Sequence, residues 1–139
     1  MATLNTAAKT RDEGNWQLTP WLPTIATEAE MDTFVGDLLQ RANDTLRYRV
    51  GPTWYTANST VDPYDKLLKE AEMHLCQAQL LLAAAGVTET GLDTNPAPFL
   101  GTAKEILLAA EVRKAWAEEI ILSTRAFGSD ARPTLETKK

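Results

Sequence analysis

The stretch Asp62–Gly86, DPYDKLLKEAEMHLCQAQLLLAAAG, constrains this chain more than any other. Asp62 can cap a helix start, and Pro63 suits the first helical position, where no N–H is needed. Gly86 stands where a left-handed C-terminal cap is usual. Leu67, Ala71, Leu75, Ala78 and Leu82 recur at helical steps and draw one apolar stripe. Lys66, Lys69, Glu70, Glu72 and Gln77 fall off it. From Leu80 to Ala85 the sequence is apolar all round, so this end of the central helix is expected to be buried on every side. Such a helix needs other elements packed around it.

Two further segments meet that need. Thr27 and Glu30 in TEAE form a capping box, and a first helix follows to about Tyr48. Its apolar face is Met31, Phe34, Val35, Leu38, Leu39, Ala42 and Leu46. Arg41, Arg47 and Arg49 gather toward its C-terminus, where cations complement the helix dipole. Gly51-Pro52 ends it. Residues 51–61, GPTWYTANSTV, read as a loop in which one of the neighbours Trp54 and Tyr55 folds back over the core and the other offers a contact surface. After the central helix comes a Thr-, Gly- and Pro-rich linker, VTETGLDTNPAP. A last helix starts between Asn95 and Thr102 and stops by Phe127-Gly128. Ala103, Leu107, Ala110, Ala117 and Ile121 form its stripe, widened by Ile106, Val112, Trp116 and Ile120. The expectation is an all-α fold of three main helices, near 27–49, 62–86 and 98–127. The helical domain spans 27–128, between an extended N-terminal arm, 1–26, and a polar tail, 129–139.

The arm is extended because Pro20 and Pro23 block a helix. Met1–Asn15 is polar and expected to be mobile. The stretch WQLTPWLPTI is different, holding Trp16, Leu18, Trp21, Leu22 and Ile25 in ten residues. Disordered tails are poor in aromatics, so this stretch is expected to lie on an apolar surface, either its own core or a neighbouring subunit. Trp16, Leu18, Trp21, Leu22, Trp54 and Tyr55 are therefore the candidate protein-interaction residues.

Enzymatic chemistry finds little support. The one histidine, His74, and the one cysteine, Cys76, are two apart on a helix and cannot meet as a catalytic pair. Glu70 and His74 share a face, but no second histidine completes a dimetal site. Both residues read as structural, Cys76 as a small buried apolar group. Glu70, Glu72, Glu118 and Glu119 read as solvated helix surface. No phosphate loop, nucleophile elbow or zinc spacing is present. No catalytic residue, cofactor or metal is expected. A single cysteine gives no internal disulfide, and the run Leu80–Ala85 is too short to span a membrane. Met1–Asn15 lacks the apolar region of a secretory signal. The net charge of −5 is concentrated in residues 27–127, which carry nine basic and fifteen acidic residues. An acidic body is a poor counterion for phosphate, which argues against gripping DNA but not against standing near it.

The order of parts resembles the small helical head–tail connector (adaptor) proteins of tailed phages. The resemblance covers about residues 27–127. It rests on an early helix, a loop, and a helix patterned A-x-x-x-L-x-x-A-x-x-L-L, here Ala71, Leu75, Ala78, Leu81 and Leu82. The aromatic arm is longer than in a compact member, so arm contacts do not carry over. The resemblance implies a virion structural protein at the head–tail junction, made in the host cytoplasm. It would form a homo-oligomeric ring, typically of twelve copies, between the portal protein and the stopper or tail proteins. DNA would pass through the lumen without specific binding. The alternative is a non-enzymatic helical interaction module, an assembly chaperone or regulator that binds one partner helix.

Overall fold

The computed structural model describes residues 3–14, 27–89 and 103–125, and among these every regular element is a helix. They are α1 (Ala7–Gly14), α2 (Glu28–Val50), α3 (Pro52–Asn58), α4 (Tyr64–Glu89) and α5 (Ala103–Arg125). The all-α expectation holds, with α2, α4 and α5 as the three main helices.

The boundaries of α2 follow from local chemistry. Thr27 Oγ1 accepts the Glu30 N–H at 3.2 Å, and the Glu30 carboxyl group accepts the Thr27 N–H at 3.1 Å. This is the capping box read from the sequence. At the other end Gly51 has φ 100° and donates its N–H to the Arg47 carbonyl. Only glycine takes that backbone angle without strain, so the position stops the helix.

Three expectations are corrected. Residues 51–61 are not a loop throughout, because Pro52 nucleates α3 directly after Gly51. Gly86 does not end the central helix, which continues through it to Glu89. The N-terminal segment is not simply an extended, mobile arm, since α1 forms and packs on α2 and α4. Residues 15–26, which include Trp16, Leu18, Trp21, Leu22 and both prolines of the arm, lie outside the described residues.

Helix α4 is the centre of the fold. Its largest interface is with α5 and its next largest with α2. Met31, Val35 and Leu39 of α2 meet Leu80, Leu81 and Ala84 of α4 and Ile106 and Ala110 of α5. Leu46 and Val50 meet Leu68 and Ala71, with Ile121 completing a second cluster. The early part of α2 thus faces the late part of α4, and both neighbours run antiparallel to it. Alanines at 71, 78, 110 and 117 are all buried, so no bulky group holds α4 and α5 apart there. Leu75, on the predicted stripe, is half-buried and packs against both clusters. Leu80, Leu81, Ala84 and Ala85 are buried and Leu82 and Ala83 are half-buried, close to the expectation for this end of α4.

The buried face of α4 is rotated from the predicted stripe and includes polar groups. Glu72 is 0% exposed and Gln77 is 1% exposed, although both were expected off the buried face. The reason is α1 and the residues leading into it. Glu72 accepts hydrogen bonds from the Leu4 N–H, the Asn5 N–H at 2.8 Å, the Asn5 side-chain amide at 2.9 Å and Asn43 Nδ2 at 2.8 Å. Asn5 Nδ2 also donates to the Lys69 carbonyl, and Gln77 Nε2 to the Thr10 carbonyl. A buried carboxylate is tolerable only when donors replace its water, and four N–H groups do so here. Arg11 adds a bond to Asp32 at 2.7 Å, tying α1 to α2.

Two predictions come from this core. Glu72→Ala leaves the Leu4 and Asn5 donors without their acceptor, at about 1–3 kcal/mol for each buried group that water cannot reach. A loss of about 3 kcal/mol in urea unfolding is expected, together with faster amide exchange at Leu4 and Asn5. Unchanged stability and exchange would show that the N-terminal segment does not rest on this carboxylate. The second concerns Cys76. Burial, with the Glu72 charge adding to it, pushes this thiol up from 9.0 to about 12. The unfolded thiol ionises from pH 9 upward while the folded one does not, so this contribution is complete below pH 9 and declines toward 12. Urea midpoints at pH 8 and pH 10.5 should therefore differ more in the wild type than in Cys76→Ala.

Candidate functional site

The candidate residues Trp54 and Tyr55 are both internal, at 9% and 5% exposure. Both belong to the cluster around Leu46, Val50, Leu68 and Ile121. The expectation that one of them faces outward is corrected. On α3 they are fixed by the turn at Gly51, and each finds a partner inside. The Trp54 ring meets Tyr64 edge-on at 5.3 Å. The Tyr55 hydroxyl accepts from Asn43 Nδ2 at 2.8 Å, beside Glu72. Burial, only partly offset by that Asn43 bond, raises the Tyr55 hydroxyl above its ordinary value.

The exposed apolar surface lies instead on α5. Its inner face is Ile106, Ala110, Ala117, Ile121 and Thr124, all buried. Leu108, Val112, Trp116 and Leu122 point the other way and are 59%, 46%, 48% and 52% exposed. Val112 and Trp116 do not widen the buried stripe, as the sequence reading had it. A helix packed on one side against α4 can bury only part of its circumference, and the small residues Ala110 and Ala117 take the packed side. Leu108, Val112 and Trp116 follow at steps of four and form one ridge, with Leu122 further along the same side. These four side chains are about half exposed, so completing their burial would add roughly half of the 1.5–3 kcal/mol that full burial contributes to each.

Beside this ridge is a polar cluster built from three helices. Arg113 of α5 donates to Glu13 of α1 through both terminal nitrogens, at 3.3 and 3.1 Å. It also donates to His74 Nδ1 of α4 at 3.0 Å. A guanidinium can only donate, so His74 Nδ1 is the acceptor and Nε2 carries the hydrogen, directed to Glu70 Oε2 at 3.3 Å. The Arg113 guanidinium lies 5.7 Å from the centroid of the Trp116 ring, and the His74 ring meets that indole edge-on at 5.2 Å. These contacts fix the indole at the wall of a cleft of about 350 Å³ lined by Glu70, His74, Trp116, Glu119 and Ile120. Cys76 is fully buried in the core, so no thiol reaches this cleft. Among the described residues no group of three or more His, Cys, Asp or Glu is placed to hold a metal ion. No helix of the described residues is long and apolar enough to cross a membrane.

The arginines expected near the end of α2 divide by role. Arg47 bonds Asp44 at 2.8 Å and so holds the Asp44 carboxyl below its usual range, helped by Gln40. Arg49 bonds both carboxylate oxygens of Glu118, which raises the Arg49 guanidinium and locks α2 to α5. Arg41 is exposed and has no such partner among the described residues. Asn5, Asn43 and Arg113, which the sequence reading passed over, and Glu72, which it placed on solvated helix surface, carry long-range polar contacts. Their one signal was Glu72 and Gln77 standing on a helix already crowded with apolar residues. Comparison with family models, with curated proteins and with solved structures finds no match.

Proposed function

We infer that this chain is an assembly subunit, and that its specific form is the head–tail connector of a tailed phage. In this reading copies join as a ring between portal and tail, with DNA passing through the lumen. The observation that carries it is the exposed apolar residues of α5, Leu108, Val112, Trp116 and Leu122, on the side away from its buried face. Contiguous exposed apolar surface of this kind marks contact with another macromolecule. Its position on a long helix tied to α4 suits a stable contact rather than a transient one. The net charge of −5 favours DNA sliding past such a ring over DNA held by it. The partners expected are other copies of this chain, the portal protein, and the stopper or tail proteins.

Stoichiometry tests this. Native mass spectrometry of the purified protein, alone and mixed with portal rings, should give closed rings or ring-on-ring complexes. Leu108→Glu with Val112→Glu should weaken that assembly at least about tenfold, because anchors near an interface centre carry about 2 kcal/mol or more. Both positions are exposed, so the double variant should melt close to the wild type. A protein that stays monomeric, or pairs one-to-one with a single partner helix, would instead be a regulator or assembly chaperone.

A further inference from the structure

The cleft beside the α5 ridge has a chemistry that selects its occupant. Its walls are an indole held in place by Arg113 and His74, the apolar Ile120, and the carboxylates of Glu70 and Glu119. Among the described residues Glu119 is exposed and its side chain makes no ion pair or hydrogen bond, and the Glu70 side chain has only the His74 contact at 3.3 Å. The positive charge nearest the indole, Arg113, is already matched by the carboxylate of Glu13. A half-exposed aromatic face flanked by two carboxylates attracts a flat cation, by cation–π contact and charge-assisted hydrogen bonds together. A guanidinium fits this better than an ammonium, because it stacks on a ring and donates in the ring plane at once.

The chain itself carries a matching group. Arg11, Arg47, Arg49 and Arg113 each bond a carboxylate, while Arg41, among the arginines whose side chains are described, stands exposed without one. Two turns further along α2, on the same face, Tyr48 is 79% exposed, the most exposed large apolar side chain described. The α2 patch and the α5 patch are different surfaces, so joining them between copies is a head-to-tail contact, the kind that builds rings. Resting on the assembly reading above, we propose that the cleft is the receptor for Arg41 of the next copy. Its guanidinium lies between Glu70 and Glu119 against Trp116, and its Tyr48 lies along Val112 and Leu108.

A charge-swap experiment tests this on the full chain. Arg41→Glu and Glu119→Arg each change an exposed side chain, so circular dichroism and melting temperature should stay as in the wild type. Each alone should raise the concentration for half-assembly at least about tenfold, since like charges then face each other at every contact. Mixing the two variants should restore assembly. In an alternating ring every contact then pairs either Arg41 with Glu119 or the two reversed charges with each other. Only even-numbered assemblies can do this, and native mass spectrometry reads that directly. Two results would overturn the proposal while leaving the assembly reading in place: a wild type that assembles with both single variants unaffected, or single variants that fail and are not rescued by mixing. A wild type that remains monomeric, alone and with portal rings, would overturn both.

Discussion

The fold depends on a buried carboxylate. Glu72 sits at the middle of the central helix, without water, and its stability requires donors from two distant places. Asn43 supplies one from α2, and Leu4 and Asn5 supply the others from the start of the chain. Until those donors arrive, α4 presents a charge to its own core. The N-terminal residues are therefore part of the domain, and α1 is held by what the core needs rather than by its own weak apolar character. Removing residues 1–26 would take away Leu4, Asn5 and Thr10 together, and would expose the polar side of α4 rather than trim an appendage.

This explains which parts of the fold were legible. Apolar periodicity is a local property, and it placed α2 to within one residue and α4 to within three, while the described residues of α5 fall inside the span expected for it. The capping box at Thr27 and the stop at Gly51 were equally local, and both are present. Glu72 and Gln77 were misplaced because no local rule buries a polar residue; partners on other elements, 29 to 68 positions away, do so. The same applies to Trp54 and Tyr55. One of the two was expected to face outward because α3 was read as loop, and a seven-residue helix after Gly51-Pro52 turns both inward. The candidate site was legible only in part. Val112 and Trp116 were visible as apolar residues in excess of one stripe, but which side α4 would cover was decided by the alanines at 110 and 117.

The polar contacts also divide the surface into used and unused charge. Arg11, Arg47, Arg49 and Arg113 each hold one element to another or stiffen a helix end. Exposed pairs of this sort contribute little to stability singly, about 0–1 kcal/mol. Their effect is geometric. Arg113 in particular fixes the indole of Trp116 and the ring of His74 from α5, with Glu13 of α1 behind it. His74, held by Arg113 and Glu70, forms part of the wall of the cleft.

Among the described residues α5 presents an apolar face and Arg41 stands without a carboxylate partner, and the two call for chemically different contacts. Apolar burial alone would favour any hydrophobic neighbour, since it has no direction. Charge alone would be screened at physiological salt over about 8 Å. Set side by side they correct each other. In the proposed contact the ridge would supply area, and the cleft would accept the planar cation of Arg41 in one register only. Orientation is what a ring requires, because a small error in the angle between copies accumulates around the circle and prevents closure. A contact anchored on the indole of Trp116 and the carboxylates of Glu70 and Glu119 would set that angle more narrowly than a smooth apolar face does.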